Sequence, residues 1–524
     1  MKQRGTLRNI ISVTFWKTAG MGLSLIIALA IANLFGAGPA TDAFFLARRL
    51  VSNAAAGLER AFQLLQVPPL VRLAENQGLE ALSVHLRRRL WQVFLAASVL
   101  CAAAFAMAGE IVDFLAPGFA EEQRRAAEAY FRILIVVLPL SAATALAGAT
   151  LNALRLFSLP VIARLLPRLC AVIALAIVAA VPVFAAGLGA VALAIAAGTV
   201  LMAVVFAFCI RHALSQDWTA AAAAVPQQGY SPGRVWAMLL TQFHLMAAIW
   251  IDMAMASMTG TGGVATLEFA QRMTNMAPSV VTSSVVIVYY TEFASHLARG
   301  NHDAFRESVL VSLRATMLFV MPAAVALFML NKPLVSVLLG HGAFEPWAVA
   351  QTASIIAWLA PLLVVNALLG TLMSATFAVP QLPHARMIAT SITVALAARV
   401  GLNLLFLPHY GVLTVPAVSL VSMTLLMGVL YIWLAYALGP LVRLRDLRPF
   451  AAMALASAAA AAALWTVQSA AARTAAGRLE TLSVAGLSAV CGGLAFAAVA
   501  TLLRVPETAR IRLALRKAVR RGAV

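Results

Sequence analysis

The sequence predicts an all-α polytopic membrane protein of about 14 transmembrane helices: two six-helix lobes related by an internal repeat, plus two C-terminal helices. Three observations carry this expectation. Of 524 residues, 63% are hydrophobic and 11% charged, with a mean hydropathy of +0.93, too little polar surface for a water-soluble chain of this length. The apolar runs are rich in Ala, Leu and Val and repeatedly reach about 18 residues or more, which suits crossing helices and not the alternating strands of a barrel. Finally, similar segments recur: "LVRLAENQGLEALSVHLRRRLWQVFL" (70–95) resembles "FASHLARGNHDAFRESVLVSLRATMLFV" (293–320), and "AGLGAVALAIAAGTVLMAVVFA" (186–207) resembles "YGVLTVPAVSLVSMTLLMGVLY" (410–431). Each pair is separated by about 224 positions, so the halves share one orientation.

The chain opens on basic residues followed by an apolar run too long for a signal-peptide core and without a small-residue cleavage site. The first helix is therefore expected uncleaved at 9–35. Further spans follow at 40–72, 88–114, 128–153, 158–184, 187–211, 233–258, 263–294, 306–330, 349–376, 384–408, 411–438, 447–470 and 481–504. Pro68 and Pro69 predict a kink or an end in the second. The lobes are expected at 1–215 and 216–440, with 441–524 supplying the last two helices and a basic tail.

The net charge of +19 does not point to nucleic acid, because Lys and Arg sit in short tracts between spans. Those tracts alternate: "HLRRR", "ARGNHDAFR", "RLRDLR" and the tail fall on one side, while "GAGPA", "GTGG" and "HGAFEP" on the other carry no Lys or Arg. This asymmetry places both termini in the cytoplasm and makes the tail a membrane-surface feature that contacts lipids. The four cysteines are isolated, as small apolar residues are, with no disulfide or metal spacing.

Charges inside two of the spans need a reason. On a helix turning about 100° per residue, Asp42, Arg48, Arg49, Ser52, Asn53, Glu59, Arg60, Gln63 and Gln66 fall within an arc of about 140°. In the equivalent span Glu268, Gln271, Arg272, Asn275, Ser279, Thr282 and Ser283 share an arc of about 120°. Such residues either pair to lock helices together or face a water-filled cavity, since lipid cannot solvate them. Two stripes at equivalent positions favour the cavity. Their arginines outnumber their carboxylates and Lys17 adds a cation, which favours an anionic ligand such as phosphate. Asp252, deep in the seventh span, is a candidate proton or cation site or a helix-pairing residue, and nearby His244 reads as a packing residue. The sequence shows no nucleophile–base pair, phosphate-binding glycine loop or metal motif, so no enzyme chemistry is expected, nor any cofactor.

The motifs "FGAGPATDAFF" (35–45), "LAPGF" (115–119), "LNALRLFSLP" (151–160), "FAQRM" (269–273), "RGNHDAF" (299–305) and "YGVLTVPAVSL" (410–420) give the chain a family resemblance. It resembles the MurJ/MviN lipid II flippases of the multidrug/oligosaccharidyl-lipid/polysaccharide (MOP) exporter superfamily. The resemblance implies two lobes around a V-shaped cavity, alternating access, and a groove for a polyprenyl tail beside the last two helices. It also implies a multi-pass protein of the bacterial cytoplasmic (inner) membrane, acting in peptidoglycan biosynthesis. By resemblance Asp42, Arg49 and Arg272 match functional positions of the family, and Asp252 and Asn403 match ligands of its sodium site. The departures are specific. Only Lys17 stands near the place of two first-helix arginines, Ala54–Ala55 replaces an Arg pair, Gln271 and Asn275 replace acidic residues, and Leu407 replaces a sodium-site carboxylate.

The expected function is translocation of an undecaprenyl-pyrophosphate-linked saccharide, lipid II first, from the inner to the outer leaflet. The expected substrate-binding residues are Asp42, Arg48, Arg49, Asn53, Glu59, Arg60, Glu268, Arg272, Asn275 and Lys17. The alternatives are a flippase for an O-antigen or exopolysaccharide unit, a cation-coupled drug exporter, and a membrane scaffold for cell-wall synthesis enzymes that has lost transport. A monomer driven by membrane potential is expected, with H+ coupling through Asp252 modulating at most and Na+ coupling weakened by Leu407. Cell-wall synthesis enzymes remain candidate partners.

Overall fold

The computed structural model describes residues 2–154, 156–181, 187–215, 232–275, 292–293, 295–297, 299–379, 382–443, 446–471 and 477–509. Among them are helices, turns and bends, with no strand. They divide into two compact units, one within Met1–Glu268 plus Gly342–Phe344, the other within Phe269–His341 plus Glu345–Val524.

The first unit holds α1 (Lys2–Phe35), α2 (Pro39–Ala106), α3 (Ala108–Leu115), α4 (Glu121–Ile135), α5 (Leu138–Ala153), α6 (Ser158–Ala163), α7 (Leu166–Ala180), α8 (Gly187–Leu214), α9 (Pro232–Ser257) and the start of α10 (Gly263–Asn275). α2 differs from expectation. It continues through Pro68 and Pro69, and its non-helical backbone is at Gly78, with φ 79° and ψ −178°. Proline is tolerated in a membrane helix because neighbouring groups satisfy the freed carbonyl, whereas a positive φ of this kind is open chiefly to glycine. The expected second and third spans are therefore joined at one hinge, and the third ends at Ala106 with α3 as a separate short helix. Proline does break two other spans. α4 and α5 bend by 41° just before Pro139, and α6 and α7 part just before Pro167. A ring without an N–H cannot continue the hydrogen-bond ladder.

α5 is buried along most of its length because ten of its 16 residues are Ala, Gly, Ser or Thr, which let neighbouring backbones approach. Against it lie α2 and α8, with Leu82, Leu86, Leu146, Leu151 and Phe206 in one buried cluster.

The second unit holds the rest of α10, then α11 (His302–Met329), α12 (Asn331–Leu338), α13 (Pro346–Ala378), α14 (His384–Tyr410), α15 (Thr414–Leu438), α16 (Leu447–Ala471) and α17 (Arg478–Leu502). Leu318, Met453, Ala456, Ala460 and Phe496 pack α16 and α17 onto α11. Two ion-pair groups fasten the segments before α16 and after α17 to α11. Arg314 contacts Glu307 at 2.8 Å and Glu507 at 2.7 Å, and Arg306 pairs with Asp446.

Ten described stretches are long and apolar enough to cross a membrane, or eleven if bent α4–α5 is one span. One of the ten, His384–Leu438, contains both α14 and α15. The charged first part of α2 and α10 complete the expected set, α10 over 13 residues because the rest of the eighth span lies outside the described residues. The repeat is visible in the helix starts: Pro39 with Gly263, and Gly187 with Gly411 (which opens the turn before α15), are each 224 positions apart.

Candidate functional site

The polar stripe of α2 does not lie open to water along its whole length. Asp42 is fully buried, its Oδ2 accepting from the Gly262 N–H at 2.6 Å and its Oδ1 from the Ala265 N–H at 2.7 Å. These donors open α10, so Asp42 caps that helix from another element and sets a negative charge against its positive end. The "TGTGG" turn makes this possible: Gly260 and Gly262 take φ of 90° and 84°, conformations costly for other residues.

Two turns along α2, the Arg49 Nη1 lies 3.5 Å from Glu268 Oε2, a carboxylate only 1% exposed. Asn53 donates to the Met246 carbonyl on α9 at 3.2 Å. Gly57 lets α9 come close, since a Cβ there would meet the Met246 sulfur at 2.5 Å. Glu59 pairs with Arg164 at 3.0 Å and accepts from Gln63. Ser52 and Arg60 are exposed, and Arg48 is half-buried. The first half of the stripe thus binds α2 to α9 and α10, and the second half turns toward α6 and α7.

On α10, Glu268 and Arg272 are one turn apart, Gln271 and Arg272 are half-buried and Asn275 is exposed. Ser279, Thr282 and Ser283 lie outside the described residues. Lys17 is exposed on α1, while Asp252 and His244 are buried on α9.

In the second unit Asn403 is fully buried and donates to the Arg399 carbonyl at 2.7 Å. The Arg399 guanidinium, 4% exposed, donates to Ser422 Oγ at 3.0 Å and Ser419 Oγ at 2.6 Å. A positive charge is therefore tethered one helical turn from Asn403, and Leu407, also buried, adds no oxygen.

Sequence reasoning passed over Arg399, Arg164 and Arg168. Each stands inside an apolar span, and that alone was a signal. Arg399 and Asn403 are four apart on one helix and share a face, whereas Arg164 and Arg168 stand on either side of the break between α6 and α7.

The backbone supplies a further cluster in the first unit. The Ala343 N–H donates to the Asn33 carbonyl at 2.9 Å. A Cβ on Gly342 would stand 1.9 Å from Asn33 Oδ1, and one on Gly36 2.2 Å from the Ala343 carbonyl oxygen. The Gly118 N–H meets Ser257 Oγ at 3.4 Å, and a Cβ on Gly118 would be 2.3 Å from the Ser257 carbonyl. The turn after α1 thus meets the turn before α13, and the turn after α3 meets the end of α9, each by close backbone contact.

Repeated helices with charged faces inside apolar spans define a multi-pass membrane protein, and the fold is that of the MOP-superfamily transporters. It is similar to a solved lipid II flippase MurJ in an inward closed conformation, at TM-score 0.72 and 16% identity, over 93% of this chain and 98% of that one. It is also similar to an inward-facing multidrug resistance MATE family transporter of the MOP superfamily, at TM-score 0.64 and 15% identity, over 80% and 94%. The chain belongs to the lipid II flippase MurJ family, whose family model matches residues 31–482. A lipid II flippase MurJ of Burkholderia cenocepacia is 28% identical over 343 residues, 62% of this chain and 64% of that protein. A probable lipid II flippase MurJ of Bdellovibrio bacteriovorus is 27% identical over 217 residues, 41% and 40% of the two. The matched segments therefore cover less than two thirds of either relative's length.

Proposed function

We propose that this protein flips a polyprenyl-pyrophosphate-linked saccharide, lipid II first, from the inner to the outer leaflet of the bacterial cytoplasmic membrane. Family membership across residues 31–482 carries the reading. The surplus of arginines on α2, α10 and the α6–α7 break supports it, because planar guanidinium forks suit a pyrophosphate while the polyprenyl tail stays in lipid.

With both termini cytoplasmic, the Asp42 cap and the glycine contacts near Asn33, Gly118 and Ala343 form a closed outer gate. Opening outward breaks the two hydrogen bonds to Asp42 and separates the glycine contacts. In this reading Arg49 and Glu268, one to two turns from the cap, contact the anionic headgroup as the gate exchanges. The Arg49–Glu268 pair is exchangeable, since a pyrophosphate can replace Glu268 as the partner of Arg49.

In this reading no sodium ion is needed. Arg399 already supplies a cation beside Asn403, and a hard cation prefers several oxygens, often anionic ones. An inside-negative potential contributes about 2.3 kcal/mol per charge per 100 mV, so two negative charges moving outward gain roughly 4–5 kcal/mol.

Lys17 standing near the place of two family arginines favours a second reading, a flippase for another polyprenyl-linked glycan. Mass spectrometry of the lipid co-purifying with the protein separates the two. A muropeptide-bearing headgroup supports lipid II, and an O-antigen or exopolysaccharide unit in its place supports the alternative.

A further inference from the structure

Arg399 stands midway along the buried face of α14, with Ile388, Ile392 and Ala395 before it and Asn403 and Leu407 after it. α15, packed against α14, has no charged residue, and the two helices together form one of the apolar stretches able to cross a membrane. A guanidinium in such a place has to be solvated by protein, because lipid cannot do it.

Oxygens around it are set to receive a cation. The Arg399 Nη1 donates to Ser422 Oγ at 3.0 Å and its Nη2 to Ser419 Oγ at 2.6 Å, so the fork straddles two hydroxyls of α15. Each hydroxyl gives its own proton to its own helix, Ser419 to the Val415 carbonyl at 2.8 Å and Ser422 to the Ser419 carbonyl at 3.1 Å. Their lone pairs are what they offer a neighbour. The Asn403 amide is turned in the same sense. Its Nδ2 donates to the Arg399 carbonyl at 2.7 Å, while Oδ1 is buried without a hydrogen-bond partner among the described residues. A buried acceptor in that state is uncommon and needs a reason. The sodium site implied by the family resemblance fits this set poorly. A hard cation takes several oxygens, often anionic, whereas Leu407 brings none and the guanidinium already holds both serines.

We propose that Arg399 is a built-in cation: its guanidinium takes the place of a coordinated metal ion among Ser419, Ser422 and Asn403, filling a latent sodium site for good. Arginine suits this part, since it keeps its charge at every working pH and its planar fork takes two acceptors at once. The residue then determines specificity for the driving force. It makes the second unit indifferent to sodium. The inference deepens the sodium-free reading above, but its readout is ion binding and not transport, so it can fail while the flippase reading stands.

Thermal unfolding of the full chain in detergent tests this, in sodium chloride against choline chloride at equal ionic strength, with sodium NMR line broadening as the direct readout. Wild type is expected to show no sodium-specific shift. Arg399→Ala/Leu407→Asp removes the fixed cation, opens its space and supplies a carboxylate one turn from Asn403. It is expected to gain a rise in melting temperature that saturates with sodium. Leu407→Asp alone is expected to stay silent, because the guanidinium remains in place. Methylguanidinium, the tip of the removed side chain, is expected to compete with sodium in the double variant. Adding Ser419→Ala/Ser422→Ala to that variant is expected to remove the gain, and a gain that survives would overturn the assignment of ligands. Should truncation prevent folding, Arg399→Gln/Leu407→Asp keeps most of the volume, offers an amide oxygen instead of the guanidinium, and is expected to gain the same shift. A saturable sodium shift in wild type or in Leu407→Asp alone would overturn the proposal. So would a folded Arg399→Ala/Leu407→Asp or Arg399→Gln/Leu407→Asp that responds to sodium no more than to choline.

Discussion

Replacing Asp42 by Asn probes the contact on which the proposed gate turns. The carboxylate accepts two backbone N–H groups at 2.6 and 2.7 Å at the head of α10. Hydrogen bonds to a charged group contribute about 1.5–3 kcal/mol each, against about 0.5–1.5 for neutral ones. An amide keeps one acceptor and turns an NH2 toward the other N–H, so the closed arrangement loses roughly 2–4 kcal/mol. At about 1.4 kcal/mol per decade, the closed-to-open ratio falls roughly 30- to 1000-fold. The assay is thiol labelling of Val264→Cys, a fully buried position beside the cap, with a membrane-impermeant maleimide added outside. In a background where the four native cysteines are replaced, wild-type Asp42 should protect this thiol. Asp42→Asn should label one to three decades faster, with folded protein retained and transport lost because the gate no longer closes. Unchanged labelling together with full transport would refute the reasoning.

Other expectations follow from the same geometry. Arg272→Ala should abolish flipping while insertion and monodispersity persist, read by proteoliposome transport and size-exclusion chromatography. Flipping should follow a potassium-diffusion potential and ignore a sodium gradient; sodium-driven flipping that Asp252→Asn abolishes would return Asp252 and Asn403 to a working cation site. Cysteines in the 260–263 turn and near the C-terminus should label from opposite faces of the membrane. Glu507→Gln should lower the melting temperature markedly, because leaving the buried Arg314 half-paired costs about 3–5 kcal/mol.

The apolar run lengths and charge asymmetry made the helical membrane fold and its repeat legible, because burial in lipid constrains every residue of a span. The breaks were less legible. Pro68–Pro69 and Pro139 look alike in sequence, yet only the latter ends a helix, since the outcome depends on which neighbours take up the freed carbonyl. The stripes marked which residues avoid lipid but not what each one meets. Asp42 and Glu268 share faces with Arg49 and Arg272, and nothing local says that a carboxylate will cap a helix opening 220 residues later. Arg399 was legible as a charge in an apolar run, but its serine partners lie on the next helix and become neighbours only on folding.

The central claim is tested most directly by reconstituting the protein in proteoliposomes holding fluorescent lipid II, under an inside-negative potential, and following headgroup exposure on the outer face. The account predicts potential-dependent lipid II exposure that Arg272→Ala removes. Lipid II retained on the inner leaflet at every potential, with another lipid-linked glycan moved efficiently, would contradict it.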